Sequence, residues 1–232
     1  MTPLNPPLVS ERSRFGLRRY SAVDLLVTLI LFFVIAPFVD ELHDGDLIAP
    51  GLLIAVMVAA VCAVRGRRWV ICTAVGLLVL AGTAKALNHF LPAVVPLSLA
   101  LALGLALIGF VVVNLLGFIV RAGRVDAEVL CAGISAYLML GLLWALAYLL
   151  TAQVSPNAFA MSGPGAKESL SGFDAYYFSF VTLCTVGYGD ITPVSRLART
   201  LAMLESVIGT LFITVLIARL VAMYSSPKSD PS

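Results

Sequence analysis

Residues 97–120 read LSLALALGLALIGFVVVNLLGFIV, and none of them is charged. As a helix such a run rises about 36 Å, enough to cross a hydrocarbon core of about 30 Å. Lipid offers backbone N–H and C=O groups no partner, so an apolar run of this length folds as a helix that satisfies itself. Five more segments are of the same kind: 21–39, the shorter 47–64, 69–87 with Lys85 near its end, 129–151 and 199–224. A further apolar stretch, 173–184, has only 12 residues. That is too short to cross and suits a re-entrant helix buried in protein. The reading is an all-α membrane protein with six crossings and one half-crossing. Composition agrees: 60% of the 232 residues are hydrophobic and 12% charged, against about 25% charged in soluble domains. Mean hydropathy is +1.02.

Loop charges set the expected orientation. Arg12, Arg14, Arg18, Arg19, Arg65, Arg67, Arg68, Arg121, Arg124, Arg219 and Lys228 fall on one side, and Lys85, Lys167, Arg196 and Arg199 on the other. The richer side is cytoplasmic. Both termini then lie inside a cell membrane crossed several times, while the acidic loop 40–46 and residues 152–198 lie outside. The basic flank of the first span fits a leader, but the apolar stretch is too long and no small-residue cleavage site follows, so it reads as a retained helix. A net charge of +2 without a long basic cluster gives no reason to expect a nucleic-acid partner. Cys62, Cys72, Cys131 and Cys184 sit in apolar stretches without a C-x-x-C pair and read as small buried residues. Trp144 and Tyr148 read as an outer aromatic belt.

Between the half-crossing and the last span lies TVGYGD, Thr185 to Asp190. Ahead of it, Ser171, Gly172, Phe173 and Asp174 make a helix start, and the helix end near Cys184 carries partial negative charge that favours a cation just beyond. Irregular backbone at membrane depth is tolerated only where it is buried in protein or lines water. Gly187 and Gly189 allow torsions that other residues avoid. Alternating those with ordinary torsions turns successive carbonyls to one side, as a ladder of hard, uncharged oxygens. Asp190 adds a full negative charge at the outer mouth.

The stretch resembles the filter of potassium channels, in which carbonyls of TVGYG replace an ion's hydration shell. The likeness covers about residues 129–224. It implies a passive, potassium-selective channel, with K+ held at the Thr185, Val186, Gly187 and Tyr188 carbonyls and the Thr185 hydroxyl, and Gly189 closing the filter. It further implies a Tyr188 ring braced by Tyr177 and Phe178, a gating hinge at Gly209, and a cavity lined by Thr210, Ile213 and Ile217. One ladder cannot encircle an ion, and the first half has no second filter-like segment, so the expected assembly is a homotetramer on a fourfold axis. Some relatives place a glutamate four residues before the filter threonine, where this chain has Val181.

Glu205 stands alone in the outer half of the last span. An intramembrane carboxylate is a functional candidate by default. Two readings stay open: filter support through Ser179, Thr182 or a neighbouring chain, or a carboxylate meeting polar groups where the helix leaves the headgroups, with no role in conduction.

The expected division is a cytoplasmic segment 1–20, a four-helix membrane domain 21–125, a pore domain 126–225 and a short tail 226–232. Four spans before a two-span pore copy the layout of voltage-gated channels, yet 97–120 lacks the regularly spaced arginines that gating charge requires. Arg121 and Arg124 read as anchors at its end. No nucleophile–base set, metal cluster or phosphate loop shares a face, so the chain reads as no enzyme, with no cofactor and no small-molecule substrate beyond the transported K+. A weakly selective cation channel, or a membrane subunit of a potassium uptake system, is the alternative.

Overall fold

The computed structural model describes residues 21–39, 45–63, 68–92, 94–123, 126–162 and 169–224. The segments 1–20 and 226–232, the loop 40–44, Arg65, Arg67, Arg124 and Lys167 lie outside the described residues.

Among the described residues seven helices and one strand pair follow in order: α1 (Ser21–Val39), α2 (Gly45–Ala63), α3 (Arg68–Phe90), α4 (Leu97–Arg121), α5 (Ala127–Val154), β1 (Phe159–Met161), α6 (Gly172–Leu183), β2 (Ile191–Pro193) and α7 (Arg196–Tyr224). The apolar runs therefore became helices, with ends within a few residues of those expected. Among the described residues four helices are long and apolar enough to cross a membrane: Arg68–Phe90, Leu97–Arg121, Ala127–Val154 and Arg196–Ala222. Shorter apolar pieces, Ala22–Phe38 and Leu53–Ala63, lie in α1 and α2.

One departure from an all-helical chain is the antiparallel pair β1–β2, with Phe159 opposite Pro193 and Met161 opposite Ile191. Three residues per strand is too short for a period-2 pattern to declare itself. The pair ties the segment after α5 to the segment after TVGYGD.

The core follows lipid logic. Large apolar side chains on the outer faces need no cover in a membrane, so burial marks helix–helix seams. Leu25, Leu29 and Phe32 of α1, Val56 of α2, Ala74 of α3, Leu107 and Val111 of α4, and Ala132, Met139 and Leu142 of α5 form one buried cluster. That cluster runs across the expected boundary at 125/126. Small residues let the helices approach: Gly104 of α4 sits against Leu146 of α5, where an added Cβ would stand 3.3 Å from the leucine Cδ1. Asp126 caps α5 by accepting from the Val129 N–H at 3.0 Å. At the far end of α4 its C-terminal carbonyls find a donor in α7, where Arg219 gives hydrogen bonds to Val120 O (2.7 Å) and Ala122 O (2.9 Å).

Helix α7 is different. Val207, Leu211, Val215 and Val221 are all more than half exposed. Its buried positions are few, Ala198, Glu205 and Gly209 among them, with Phe212 and Leu216 packed on the core and Arg219 tied to the end of α4.

The cysteines were expected to be buried, and three are not: Cys62, Cys72 and Cys184 are exposed, and Cys131 is half-buried. A thiol behaves as a small hydrophobe, so a lipid-facing position suits Cys62 and Cys72 as well as a core, while Cys184 Sγ lies 3.5 Å from the Tyr137 hydroxyl.

Candidate functional site

Helix α6 begins after Ser171, whose hydroxyl donates to Asp174 at 2.5 Å. The carboxylate thus sits in the first turn, where the helix dipole favours it. Rings anchor the helix on two sides. Tyr176 meets Phe32 and Phe180 meets Phe33, both edge-on from α1. Phe178 packs against Tyr148 of α5 and Phe159 of β1. Twelve residues on, the helix ends at Leu183, and Cys184 N–H still donates back to Phe180 O.

The chain then changes hand at every second residue. Thr185 has φ 58°, Gly187 59° and Gly189 81°. Glycine adopts such torsions freely. A β-branched threonine does not, and the conformation costs about 1–3 kcal/mol, held by its surroundings. Those surroundings are the amides. Thr185 N–H donates to Thr182 O at 2.9 Å, and Val186 and Gly187 N–H both turn to Val181 O, at 2.9 and 3.3 Å. With the donors aimed back at α6, the carbonyls of Thr185, Val186, Gly187 and Tyr188 accept from no donor among the described residues. Four hard oxygens are left open along one short segment.

Asp190 closes the stretch. Its carboxylate accepts from the Tyr177 hydroxyl at 2.8 Å and from Ile191 N–H at 3.0 Å, and its carbonyl accepts from Ser162 N–H at 2.8 Å. The Tyr177 hydrogen bond, chiefly, holds the Asp190 carboxyl below the usual carboxylate range. Tyr177 therefore grips the acid. The expected bracing of Tyr188 has no counterpart within the chain: Tyr188 is 71% exposed, and among the described residues it forms no ring pair with Tyr177 or Phe178.

Behind the segment, Glu205 of α7 is fully buried, at 0% exposure. Tyr148 donates to its Oε2, and Ser179 Oγ lies 2.6 Å from its Oε1. Tyr148 is thus no belt residue. It is completely buried, with its ring against Phe159 and Phe178. The partners of Glu205 are the hydroxyls of neighbouring helices, Ser179 being one of those expected for filter support.

Gly209 fits against the end of α6. A Cβ added there would stand 2.6 Å from the Leu183 carbonyl oxygen. Helix α7 runs unbroken through this position. Thr210, Ile213 and Ile217 are exposed on the same helix, with the Thr210 hydroxyl satisfied by Ser206 O at 2.9 Å.

An all-helical, multi-pass membrane protein with a half-length helix feeding a glycine-kinked segment of open carbonyls is the class these elements define. The ion channel family model matches residues 136–226. The chain is 38% identical to the inward rectifier potassium channel Kirbac3.1 of Paramagnetospirillum magnetotacticum, over 40% of its own length and 28% of that protein's. It is 36% identical to two pore potassium channel c of Oryza sativa subsp. japonica, over 34% of its length and 19% of that relative's. It is 33% identical to protein LctB of Bacillus caldotenax, over 42% of its length and 74% of LctB. The chain belongs to the potassium channel family. It spans less than a third of the first two relatives, and the ion channel family model falls in its second half.

Proposed function

We propose that this chain is the subunit of a homotetrameric, potassium-selective channel that passes K+ down its gradient. The observation that carries the reading is the alternation of left-handed torsions at Thr185, Gly187 and Gly189, with four successive carbonyls that accept from no donor among the described residues. Four such segments around one axis replace the water shell of a dehydrated K+. The ion sites are then the Thr185, Val186, Gly187 and Tyr188 carbonyls, with Gly189 completing the turn and Asp190 at the mouth. The negative end of α6 faces the space below. Thr210, Ile213 and Ile217 line the cavity, and α7 bends at Gly209 when the gate opens. Tyr177 supports the filter through Asp190, Phe178 through the ring cluster, and Glu205 through Ser179.

The exposed apolar surface of α7 supports assembly, because an inner helix packs against its copies. The exposed ring of Tyr188 similarly finds its partners in the neighbouring subunit. In this reading α1 to α5 and α7 cross the cell membrane, both termini are cytoplasmic, and α1–α4 form a unit without gating charge beside the pore domain.

Two measurements test this. Native mass spectrometry should give four copies per particle. Liposomes loaded with K+ should release it through the purified protein, with block by barium. Gly187→Ala should stop release without changing the copy number, since alanine at φ 59° carries a strain of about 1–2 kcal/mol in every subunit. A monomeric or dimeric working particle would overturn the proposal.

A further inference from the structure

Glu205 lies nine residues into α7, about 13 Å along the helix axis. The groups that touch its carboxyl are hydroxyls: Tyr148 of α5 and Ser179 of α6. Tyr137, also on α5, faces it from farther off, and no basic side chain among the described residues acts on it. A buried carboxylate without a cation would carry an unpaired charge, which is costly in a protein interior and more so in a membrane.

A neutral acid avoids that charge and still gives every contact a proton. Ser179 Oγ lies 2.8 Å from the Gly141 carbonyl oxygen of α5 and 2.6 Å from Glu205 Oε1. A serine hydroxyl has one proton to give and two lone pairs to receive with. Gly141 O, inside α5, already accepts from its own helix, so the serine proton can serve either acceptor; with a neutral Glu205 it goes to Gly141. The shorter contact, Ser179 Oγ to Glu205 Oε1, then needs a proton from the glutamate side. Two bare oxygens at 2.6 Å would repel. Tyr148 supplies the proton for the other carboxyl oxygen. Every donor is then used once: Glu205 to Ser179, Ser179 to Gly141, Tyr148 to Glu205. An ionised Glu205 would instead draw the serine proton away from Gly141 and keep a fully buried charge with no cation against it.

We infer that Glu205 works as a neutral carboxylic acid, a positioning residue whose proton links α7 through Ser179 to α5 and fixes α6 where it feeds Thr185. This rests on the proposed reading of 185–190 as the filter. Ser179 is six residues before Thr185, on the helix whose Val181 and Thr182 carbonyls hold the amides of Thr185, Val186 and Gly187. A shift of α6 therefore moves the very acceptors that keep the left-handed torsions in place.

Glutamine reproduces this proton count, since its NH2 donates to Ser179 and its carbonyl accepts from Tyr148. Glu205→Gln should keep K+ release and K+-over-Na+ preference within about twofold of the parent, whereas Glu205→Ala or Ser179→Ala should lose about tenfold as a buried partner is stranded. An infrared difference spectrum between the parent and Glu205→Gln at neutral pH should contain the carbonyl stretch of a protonated acid. This readout holds even where an alanine variant fails to assemble, and it stands apart from conduction: a parent that failed to conduct would sink the functional reading and leave the protonation result intact. Carboxylate bands in that spectrum, or a tetrameric Glu205→Gln that has lost conduction, would overturn the inference.

Discussion

Gly209→Ala puts a methyl group against an atom that has nowhere to go. The new Cβ would stand 2.6 Å from the Leu183 carbonyl oxygen and 2.8 Å from Leu183 Cδ1. To restore ordinary contact at 3.4 Å, α7 and the end of α6 must part by about 0.8 Å. Overpacking costs typically about 1–3 kcal/mol, and a backbone clash belongs at the upper end. Alanine recovers about 1 kcal/mol over glycine within a helix. The net is about 2 kcal/mol per subunit, or about 4–8 °C in melting temperature for a chain of this size. Two other glycines serve as controls. Gly141→Ala meets only the far edge of the Phe180 ring, at 2.3 Å from Cζ, and a ring can swing away, so its cost should be smaller. Gly117→Ala on α4 meets nothing within 4 Å and should leave the protein unchanged or slightly more stable. Melting of the detergent-solubilised protein, followed by tryptophan fluorescence, measures all three, and K+ release from liposomes should fall with Gly209→Ala because Leu183 stands two residues before Thr185. A Gly209→Ala protein as stable as Gly117→Ala would refute the reasoning, since the close passage of α7 over α6 would then not exist.

The Tyr177–Asp190 hydrogen bond makes a pH prediction. A carboxyl held below its usual value contributes stability above that usual value and loses it as pH falls through the lowered one. The bond should therefore be intact at neutral pH, and acid loss of K+ release should begin only below the ordinary carboxylate range; Tyr177→Phe should move that acid limb to higher pH, as seen by release against external pH, and an unmoved limb would remove the tie. Helix α4 carries no charge before Arg121, and one charge moved through the field is worth about 2.3 kcal/mol per 100 mV. Open probability in planar bilayers should consequently change little between −100 and +100 mV, on the order of that single-charge scale or less, and a steep curve would show gating charge outside α4.

Much of the fold was legible because the solvent is lipid. A run such as 97–120 can only be a helix, and α4 spans Leu97–Arg121. The half-length of 173–184 likewise anticipated α6, and the two glycines anticipated left-handed backbone at 187 and 189. What escaped has a common cause, long-range contact. Glu205 and Tyr148 are 57 positions apart, and Ser179 and Gly141 are 38 apart. Tyr148 carries the composition of a membrane-interface residue, and only its neighbours reveal a buried donor. Thr185 at φ 58° escaped because a β-branched residue argues locally against that torsion, and the tertiary hydrogen bonds of its neighbours override it. Strands β1 and β2 were too short to read. The exposed cysteines escaped because apolar context in a membrane chain marks lipid as readily as core.

The central claim is that open backbone oxygens at 185–188 select K+ by replacing its water. It is tested most directly by the reversal potential of the purified protein in a planar bilayer with K+ on one side and Na+ on the other. The account expects current to reverse at a strongly displaced voltage, on the side set by K+ flow, and to vanish when Na+ is the sole cation. A reversal near zero would mean that Na+ passes as well as K+, and would contradict it.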